Sequence, residues 1–303
     1  MKVTRRKFLG TAVAAVAVSP NFLLAEESKR KTTKKNRLDR QVGITTSSLS
    51  AHIAARSGNG KFTLLELPKI MREELDMRVI DLNTSSLASY DPAYLDKLRK
   101  AADDTGCILT NLKLNQRGLD MNSADKAVRE KALTEYKRSI DAAGRLGLKW
   151  ARPLPLPERP DMKRHVAAYR ELADYAAQRK VRMLVENYAW MESDPESVVK
   201  LIKAVDRNLA ASPDTGNWKN NDLRYEGLKK TFPLAVTCDF KARQLGPDGE
   251  HKLYDLKRCF EIGWKTGFRG PWCLEHANAD RKTLFKELAM LRDMLRKWMA
   301  EQS

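Results

Sequence analysis

Residues 181–188 read VRMLVENY, a short apolar run that ends on an acid, Glu186. The same ending recurs in SPDTGNW with Asp214, in TCDFKA with Asp239 and in CLEH with Glu275. Short apolar runs bounded by polar residues are typical of buried parallel strands, and the carboxyl ends of such strands are where α/β proteins hold their sites. The sequence therefore predicts four consecutive strands that each end in a carboxylate.

These strands are part of a longer alternation. Apolar runs alternate with segments of helical spacing, several of which begin at Ser, Asp or Pro and stop at Gly, as capped helices do. The runs are 42–48, 77–83, 107–114, 149–155, 181–188, 208–214, 234–240 and 270–276. A doubly wound open sheet is the alternative, but no G-x-G-x-x-G follows the first run. We predict the α/β fold class, with a single (β/α)8 TIM barrel over residues 41–303.

The N-terminal segment carries a targeting pattern. TRRKFLG, with a twin arginine, precedes the apolar stretch TAVAAVAVSP, and together they predict a Tat-type signal peptide over residues 1–25. The stretch is shorter than the about 20 residues that span a bilayer, so membrane contact is expected only through an uncleaved signal. The prediction is export of the folded protein by the Tat machinery to the periplasm.

The positive charge does not predict a nucleic-acid partner. Of the net charge of +17, the first 40 residues contribute 8, and residues 26–40 read as a basic flexible tether. In the remainder, Lys and Arg are mixed with acids and form no dense block interleaved with aromatics. We expect a solvated basic surface.

The cysteine pattern argues against a zinc cluster. Cys107, Cys238, Cys259 and Cys273 show no C-x-x-C spacing. Cys238 and Cys273 are placed so that their side chains point away from each other if the neighbouring acids face the same way along their strands. Buried free thiols are predicted.

Four acids at one end of a barrel would repel each other unless a cation or protons neutralise them. Because oxygen donors favour Mg²⁺, Mn²⁺ or Ca²⁺ over zinc, a hard divalent cation is expected, with Glu186, Asp214, Asp239 and Glu275 as its ligands. The alternative is a site without metal in which Lys241, Lys113 or Arg243 neutralises the acids.

The order of an acid after strand five, DTGN after strand six and LEH after strand eight resembles the xylose isomerase-like barrels of the sugar phosphate isomerase/epimerase superfamily. The resemblance covers about residues 41–300. It implies that Glu186, Asp214 and Glu275 bind a divalent metal, Mn²⁺ or Mg²⁺. It also implies that Glu186 and Glu275 exchange a proton with carbon beside a carbonyl, and it implies no organic cofactor.

Two positions depart from the family pattern. Asp239 stands where relatives carry histidine in H-x-K, with Lys241 matching the lysine, and Asn217 stands where a histidine often follows the strand-six acid. A carboxylate in place of an imidazole makes the ligand set more negative. We expect this change to hold a hard cation more tightly and to weaken its Lewis acidity.

Five side chains are predicted to contact a small carbohydrate substrate. Trp218 directly follows strand six, and His251 is in the loop after strand seven, where solvent exposure is an equally open alternative. The predicted substrate-binding residues are Lys241, Asn217, Trp218, Lys113 and His251.

These features together predict an exported, divalent-metal-dependent enzyme of the sugar isomerase/epimerase type. A keto-sugar lyase or dehydratase would use the same proton abstraction, and a non-catalytic sugar-binding barrel is a further alternative. A zinc phosphoester hydrolase is disfavoured, because the chain has only 4 histidines and none is at the matching strand ends.

Overall fold

In the computed structural model the chain is described at residues 37–116 and 118–302. The predicted signal, residues 1–25, and residues 26–36 of the predicted tether lie outside this range, so both stay predictions. One compact unit runs from Leu38 to Ser303. Leu38 is buried, and the predicted start of the barrel at residue 41 stays a prediction.

Eight parallel strands form one curled sheet, and each overlaps one predicted run. In sheet order, β1 has β2 and β8 as neighbours, and the series continues through β3, β4, β5 and β6 on one side and ends at β7 on the other. The strands are β1 (Val42–Thr45), β2 (Val79–Asn83), β3 (Ile108–Leu114), β4 (Trp150–Pro153), β5 (Arg182–Val185), β6 (Leu209–Ala211), β7 (Cys238–Lys241) and β8 (Trp272–Glu275).

Eight α-helices alternate with these strands in the described part of the chain. They are α1 (Leu67–Glu73), α2 (Pro92–Thr105), α3 (Lys126–Leu146), α4 (Met162–Ala177), α5 (Ser197–Val205), α6 (Asn221–Thr231), α7 (Leu256–Lys265) and α8 (Arg281–Glu301). Alternation of this kind gives a parallel sheet covered by helices, and the predicted single (β/α)8 barrel is confirmed.

The seam between β6 and β7 closes the barrel next to two of the acids. The backbone N–H of Val236 donates to the carbonyl of Ala211 at 3.1 Å, and that of Asp239 donates to the carbonyl of Pro213 at 2.9 Å. Asp214 and Asp239 pair as neighbours in an isolated parallel bridge. Closure therefore brings these two residues side by side.

Local sequence signals account for the helix boundaries. The Asp91 side chain accepts a hydrogen bond from the N–H of Ala93, and the helix α2 that it caps ends at Gly106 with φ of 68°. Because this left-handed conformation is costly for residues with a Cβ, glycine suits the position. Asp125 and Gly147 cap α3 in the same way.

The interior is apolar below the site. All four cysteines are free and buried, as the sequence predicts. Trp272 of β8 is fully buried and packs edge-on against Phe240 of β7 with ring centroids 5.9 Å apart. Within the described residues, no helix combines the length and the apolar character needed to cross a membrane.

Candidate functional site

The four predicted acids meet at the carboxyl ends of β5–β8. Glu186 follows β5, Asp214 lies in the turn after β6, Asp239 is within β7 and Glu275 ends β8. Oxygens of Glu186, Asp214 and Asp239 all lie within 4.8 Å of one another, and these three residues form what we call the oxygen triad. All three are buried, with 3%, 0% and 0% of the residue exposed.

Two buried lysines connect Glu275 to the oxygen triad. Lys113 Nζ lies 2.6 Å from Asp239 Oδ1 and 3.6 Å from Glu275 Oε2. Lys241 Nζ lies 2.7 Å from Asp214 Oδ2 and 2.9 Å from Glu275 Oε1. The exposed guanidinium of Arg243 reaches Glu275 Oε1 at 3.8 Å. The acids are therefore neutralised in part by the protein's own cations.

A third buried cation, Arg152 of β4, pairs with Glu186. Its Nη2 lies 2.7 Å from Glu186 Oε2, and both side chains are almost fully buried. Its Nη1 donates to Asn115 Oδ1 at 3.2 Å. Arg152 is not among the predicted site residues; its only sequence signal is a charge inside the apolar run 149–155.

Asn217 joins the two ends of the cluster. Its Nδ2 donates to Glu186 Oε1 at 3.0 Å and to Asp214 Oδ2 at 2.9 Å. Its Oδ1 accepts a hydrogen bond from Lys241 Nζ at 2.8 Å. The amide thus satisfies two acids and one cation at once, and it fixes their relative positions.

The loop after β6 is held rigidly behind the site. Asn187 accepts a hydrogen bond from the N–H of Asp214 at 2.8 Å and donates to its carbonyl at 2.9 Å. Trp218 Nε1 also donates to the Asp214 carbonyl, at 3.1 Å. A Cβ at Gly227 would lie 1.9 Å from the Trp218 ring, so only glycine leaves room for the indole.

A cavity of about 280 Å³ opens onto the acids. This volume is close to the lower end of the about 300–1,000 Å³ range of small-molecule sites. Among the predicted residues, Glu186, Glu275, Asn217 and Lys241 line it. The opposite wall includes side chains that sequence analysis did not find: Ser47, Ser85, Asn115 and Arg152.

Three predicted substrate-binding residues have other surroundings. Lys113 is 1% exposed and contacts the acids from inside the barrel. Trp218 is buried behind the β6 loop. His251 borders a separate cavity of about 270 Å³ beside Trp298. Their contact with a substrate stays a prediction.

The surroundings shift the pKa values of Glu186 and Glu275 in opposite directions. Burial raises the pKa of Glu186 to about 7, against the opposing effect of Arg152. Burial acts in the same direction on Glu275, but Lys241 and Lys113 outweigh it and lower the pKa of that carboxyl to about 2. At neutral pH, Glu186 exchanges protons readily whereas Glu275 stays ionised.

A fifth acid, Asp81 of β2, lies close enough to Asp239 to raise the pKa of that carboxyl. It is fully buried, and it accepts hydrogen bonds from Thr110 Oγ1 and, at 3.5 Å, from Asn111 Nδ2. Burial raises its pKa, although Lys113 opposes the rise. Sequence analysis missed it because it lies within the run 77–83.

The oxygen triad fits a hard divalent cation. Such ions take oxygen ligands at about 2.0–2.6 Å, so two ligands of one ion lie at most about 4–5 Å apart, and the triad oxygens lie within 4.8 Å. Asp239 Oδ2 has no hydrogen-bond partner among the described residues, although the side chain is completely buried. Glu275 lies outside the triad and contacts it through the lysines.

Comparison with known proteins supports this description of the fold. The sequence matches none of the curated proteins. Among solved structures, D-psicose 3-epimerase with D-tagatose from Clostridium cellulolyticum H10 shares a TM-score of 0.66 and 16% identity over 85% of this chain and 98% of that chain.

Two further structures are similar to a comparable degree. A xylose isomerase-like TIM barrel protein from Mycobacterium smegmatis in complex with magnesium gives a TM-score of 0.63 at 17% identity, covering 86% of this chain and 97% of that one. The 3-keto-D-glucoside 4-epimerase from E. coli gives 0.63 at 16% identity, covering 84% and 99%. The model of the xylose isomerase-like TIM barrel family matches residues 73–298, and the chain belongs to that family.

Proposed function

We propose that this chain is an enzyme of the sugar isomerase/epimerase type that moves a proton on the carbon beside a carbonyl of a small carbohydrate. The observation that carries the proposal is the pair of glutamates that line one cavity with pKa values moved in opposite directions, Glu186 to about 7 and Glu275 to about 2. Pairs of this kind are typical of acid–base sites.

Glu186 is the proton-transferring group in this proposal. A catalytic base works best when its pKa lies near the working pH, and that of Glu186 is about 7. Arg152 and Asn217 hold its two oxygens, so the carboxylate keeps one orientation. The proton leaves the substrate carbon for a Glu186 oxygen, and the substrate oxygen gains negative charge.

Lys241 is placed to stabilise that charge. Its ammonium lines the cavity and is fixed by Asp214, Glu275 and Asn217. A fixed cation in a site shielded from water stabilises developing negative charge strongly. Return of the proton from Glu186 to the former carbonyl carbon, with the hydroxyl proton passing to the oxygen that gained charge, is isomerisation. Epimerisation uses groups on both faces: ionised Glu275, which lines the same cavity, takes the proton on its side, and protonated Glu186 supplies one on the other.

The proposed cofactor is Mn²⁺ or Mg²⁺, held by Glu186, Asp214 and Asp239. A bound divalent cation supplies Lewis-acid polarisation of a substrate oxygen. The support in this chain is the spacing of the triad oxygens, within 4.8 Å of one another, and their all-oxygen chemistry. The similarity to a structure solved with magnesium adds to it.

We also propose that the protein acts after export. The support is the twin arginine and the apolar stretch within residues 1–25. A free or glycosidic sugar suits such a location better than a phosphosugar intermediate of the cell interior. The similar structures named for sugar epimerases support the choice of a carbohydrate.

Deuterium incorporation from D₂O into keto-sugars and glycosides, followed by NMR, tests the proposed function. We expect Glu186→Gln to slow the exchange by about 10²–10⁴-fold, because the amide cannot accept the proton. Glu158→Gln is the matched control, since Glu158 is exposed and outside the cavity.

The outcomes separate the alternatives. Full exchange in the Glu186→Gln protein would remove the role given to Glu186. Binding of sugars without exchange by the unmodified protein would favour the non-catalytic barrel. Release of a β-substituent in place of an isomer would identify a lyase.

A further inference from the structure

Lys113 of β3 is a cation that the proposed reaction does not use. Its side chain is 1% exposed and is absent from the cavity lining, so it is separated from a substrate by the acids themselves. Its Nζ contacts Asp239 Oδ1 at 2.6 Å and Glu275 Oε2 at 3.6 Å. A buried ammonium in this position changes the electrostatic environment of the two carboxylates and does not contact a substrate.

Asp239 is the member of the oxygen triad with a free acceptor. Both of its oxygens are enclosed, Oδ1 faces Lys113, and Oδ2 has no hydrogen-bond partner in the described residues 37–116 and 118–302. Its ligand oxygen lies within 4.8 Å of those of Glu186 and Asp214. One carboxylate is therefore shared between a fixed ammonium and a place where a divalent cation fits.

Two cations on one buried carboxylate repel each other. A metal ligand distance of about 2.0–2.6 Å would place the ion about as close to Asp239 as the ammonium is. At low effective dielectric the repulsion between neighbouring charges is strong, and little water is present to screen it. The ammonium cannot retreat to solvent, because Asp239, Glu275 and the barrel wall enclose it.

Lys241 holds a different position. It contacts Asp214 at 2.7 Å, but it also lines the cavity and donates to Asn217, so the proposed chemistry accounts for it. Lys113 does not line the cavity, and within the described residues its ion pairs are with Asp239 and Glu275. The effect on a metal at Asp239 is therefore assigned to Lys113.

We propose that Lys113 competes with a divalent cation for Asp239 and thereby sets the metal affinity of the oxygen triad. The inference rests on the proposed function in that it concerns the same triad, but it requires no turnover. It adds to the metal site a residue that regulates the site from inside the barrel and is not a ligand.

Mn²⁺ binding to the EDTA-stripped full-length protein tests the proposal, with free Mn²⁺ followed by electron paramagnetic resonance. We expect Lys113→Met to bind Mn²⁺ at least about tenfold more tightly than the unmodified protein, because a neighbouring positive charge is removed. Lys100→Met is the matched control: Lys100 is an exposed lysine paired with Asp104 at 2.7 Å, and its change should leave Mn²⁺ affinity unchanged.

A second pair of variants shows whether Asp239 carries the effect. In an Asp239→Asn background, Lys113→Met should no longer tighten Mn²⁺ binding, since the shared carboxylate is gone. The double variant replaces an ion pair by two neutral groups of similar size, which buried sites tolerate better than a lone charge.

The variant Lys113→Met leaves buried acids unbalanced, so its melting temperature is measured with and without Mn²⁺. A larger Mn²⁺-induced rise than in the unmodified protein supports the proposal. Equal or weaker Mn²⁺ affinity in Lys113→Met overturns it, as does a failure of Mn²⁺ to raise that melting temperature. Binding is measured without substrate, so loss of the proposed enzymatic function leaves this result unaffected.

Discussion

The two halves of the barrel bring opposite charges to one mouth. The half formed by β5–β8 supplies four carboxylates, whereas β3 and β4 supply Lys113 and Arg152. The wall of the cavity on the β1–β4 side is otherwise neutral, with Ser47, Ser85, Asn115 and the apolar Leu154. Lys241 of β7 is the buried cation that the acidic half provides for itself.

This division shows that the site depends on closure of the barrel. Asp239 of β7 obtains its cation from β3 across the barrel, whereas Glu186 obtains Arg152 from β4, the strand paired with β5. Burial raises the pKa of both Asp214 and Asp239 even with the lysines present. The acidic half would hold protons in place of charge if the other half were lost.

The largest expected effect is on the free energy of unfolding. It comes from removing Arg152, the cation of one half that pairs with Glu186 of the other. Arg152→Met leaves that carboxylate buried without its ion pair, and loss of one partner of a buried pair costs about 3–5 kcal/mol in the free energy of unfolding. Urea denaturation of the two proteins measures the difference. Combining it with Glu186→Gln should recover much of the loss.

Arg207→Met is the matched control for this measurement. Arg207 pairs with Asp174 on the surface, where both side chains are about half exposed. Exposed pairs contribute about 0.2–1 kcal/mol. Equal losses in Arg152→Met and Arg207→Met would show that the two halves are not electrostatically coupled.

The fold was predictable from sequence because it depends on repetition. Each apolar run and each capped helix is a local signal, and eight repeats of the same unit leave few arrangements that bury both. The ends of the strands were less predictable. β1 stops at Thr45, inside the predicted run 42–48, and the chain continues as a 3₁₀ turn from Thr46 to Leu49.

The site was predictable in its acidic half and in Lys113, which the sequence named as a cation that could neutralise the acids. Acids that follow an apolar run stand out, and Glu186, Asp214, Asp239 and Glu275 do meet. Arg152 and Asp81 lie within strands. A charged residue inside an apolar run interrupts the pattern but does not indicate which residue it contacts. The contacts of Lys113 of β3 with Asp239 of β7 and Glu275 of β8 depend on barrel closure, and a local pattern contains no information on them.

A buried histidine at the boundary between the halves gives a smaller, pH-dependent effect. His165 of α4 is 1% exposed, and its Nδ1 lies 2.7 Å from Asn122 Oδ1 in the connection after β3. Burial lowers its pKa to about 4. The unfolded chain binds a proton at about pH 6.5 and the folded protein does not, so stability is complete above that pH and falls as pH decreases towards 4.

We expect this histidine to lower the free energy of unfolding by about 2 kcal/mol between pH 7 and pH 4.5. His165→Gln keeps a polar partner for Asn122 but removes the titrating group, so its stability should fall less over the same range. Denaturation at both pH values for both proteins gives the comparison. Parallel losses would show that other groups, such as the mouth carboxylates, determine the acid sensitivity.

The smallest expected effect is on substrate binding, and it comes from the neutral side chains of the cavity wall on the β1–β4 side. Ser85 lines the cavity at the acids and also an adjoining cavity of about 260 Å³, whereas its neighbour Ser86 lines only the latter. A neutral hydrogen bond contributes about 0.5–1.5 kcal/mol, so Ser85→Ala should raise KM for a monosaccharide about two- to tenfold and leave kcat unchanged. Ser86→Ala is the control and should change neither. A fall in kcat with Ser85→Ala would assign the chemistry to both halves, because binding groups alone act on KM.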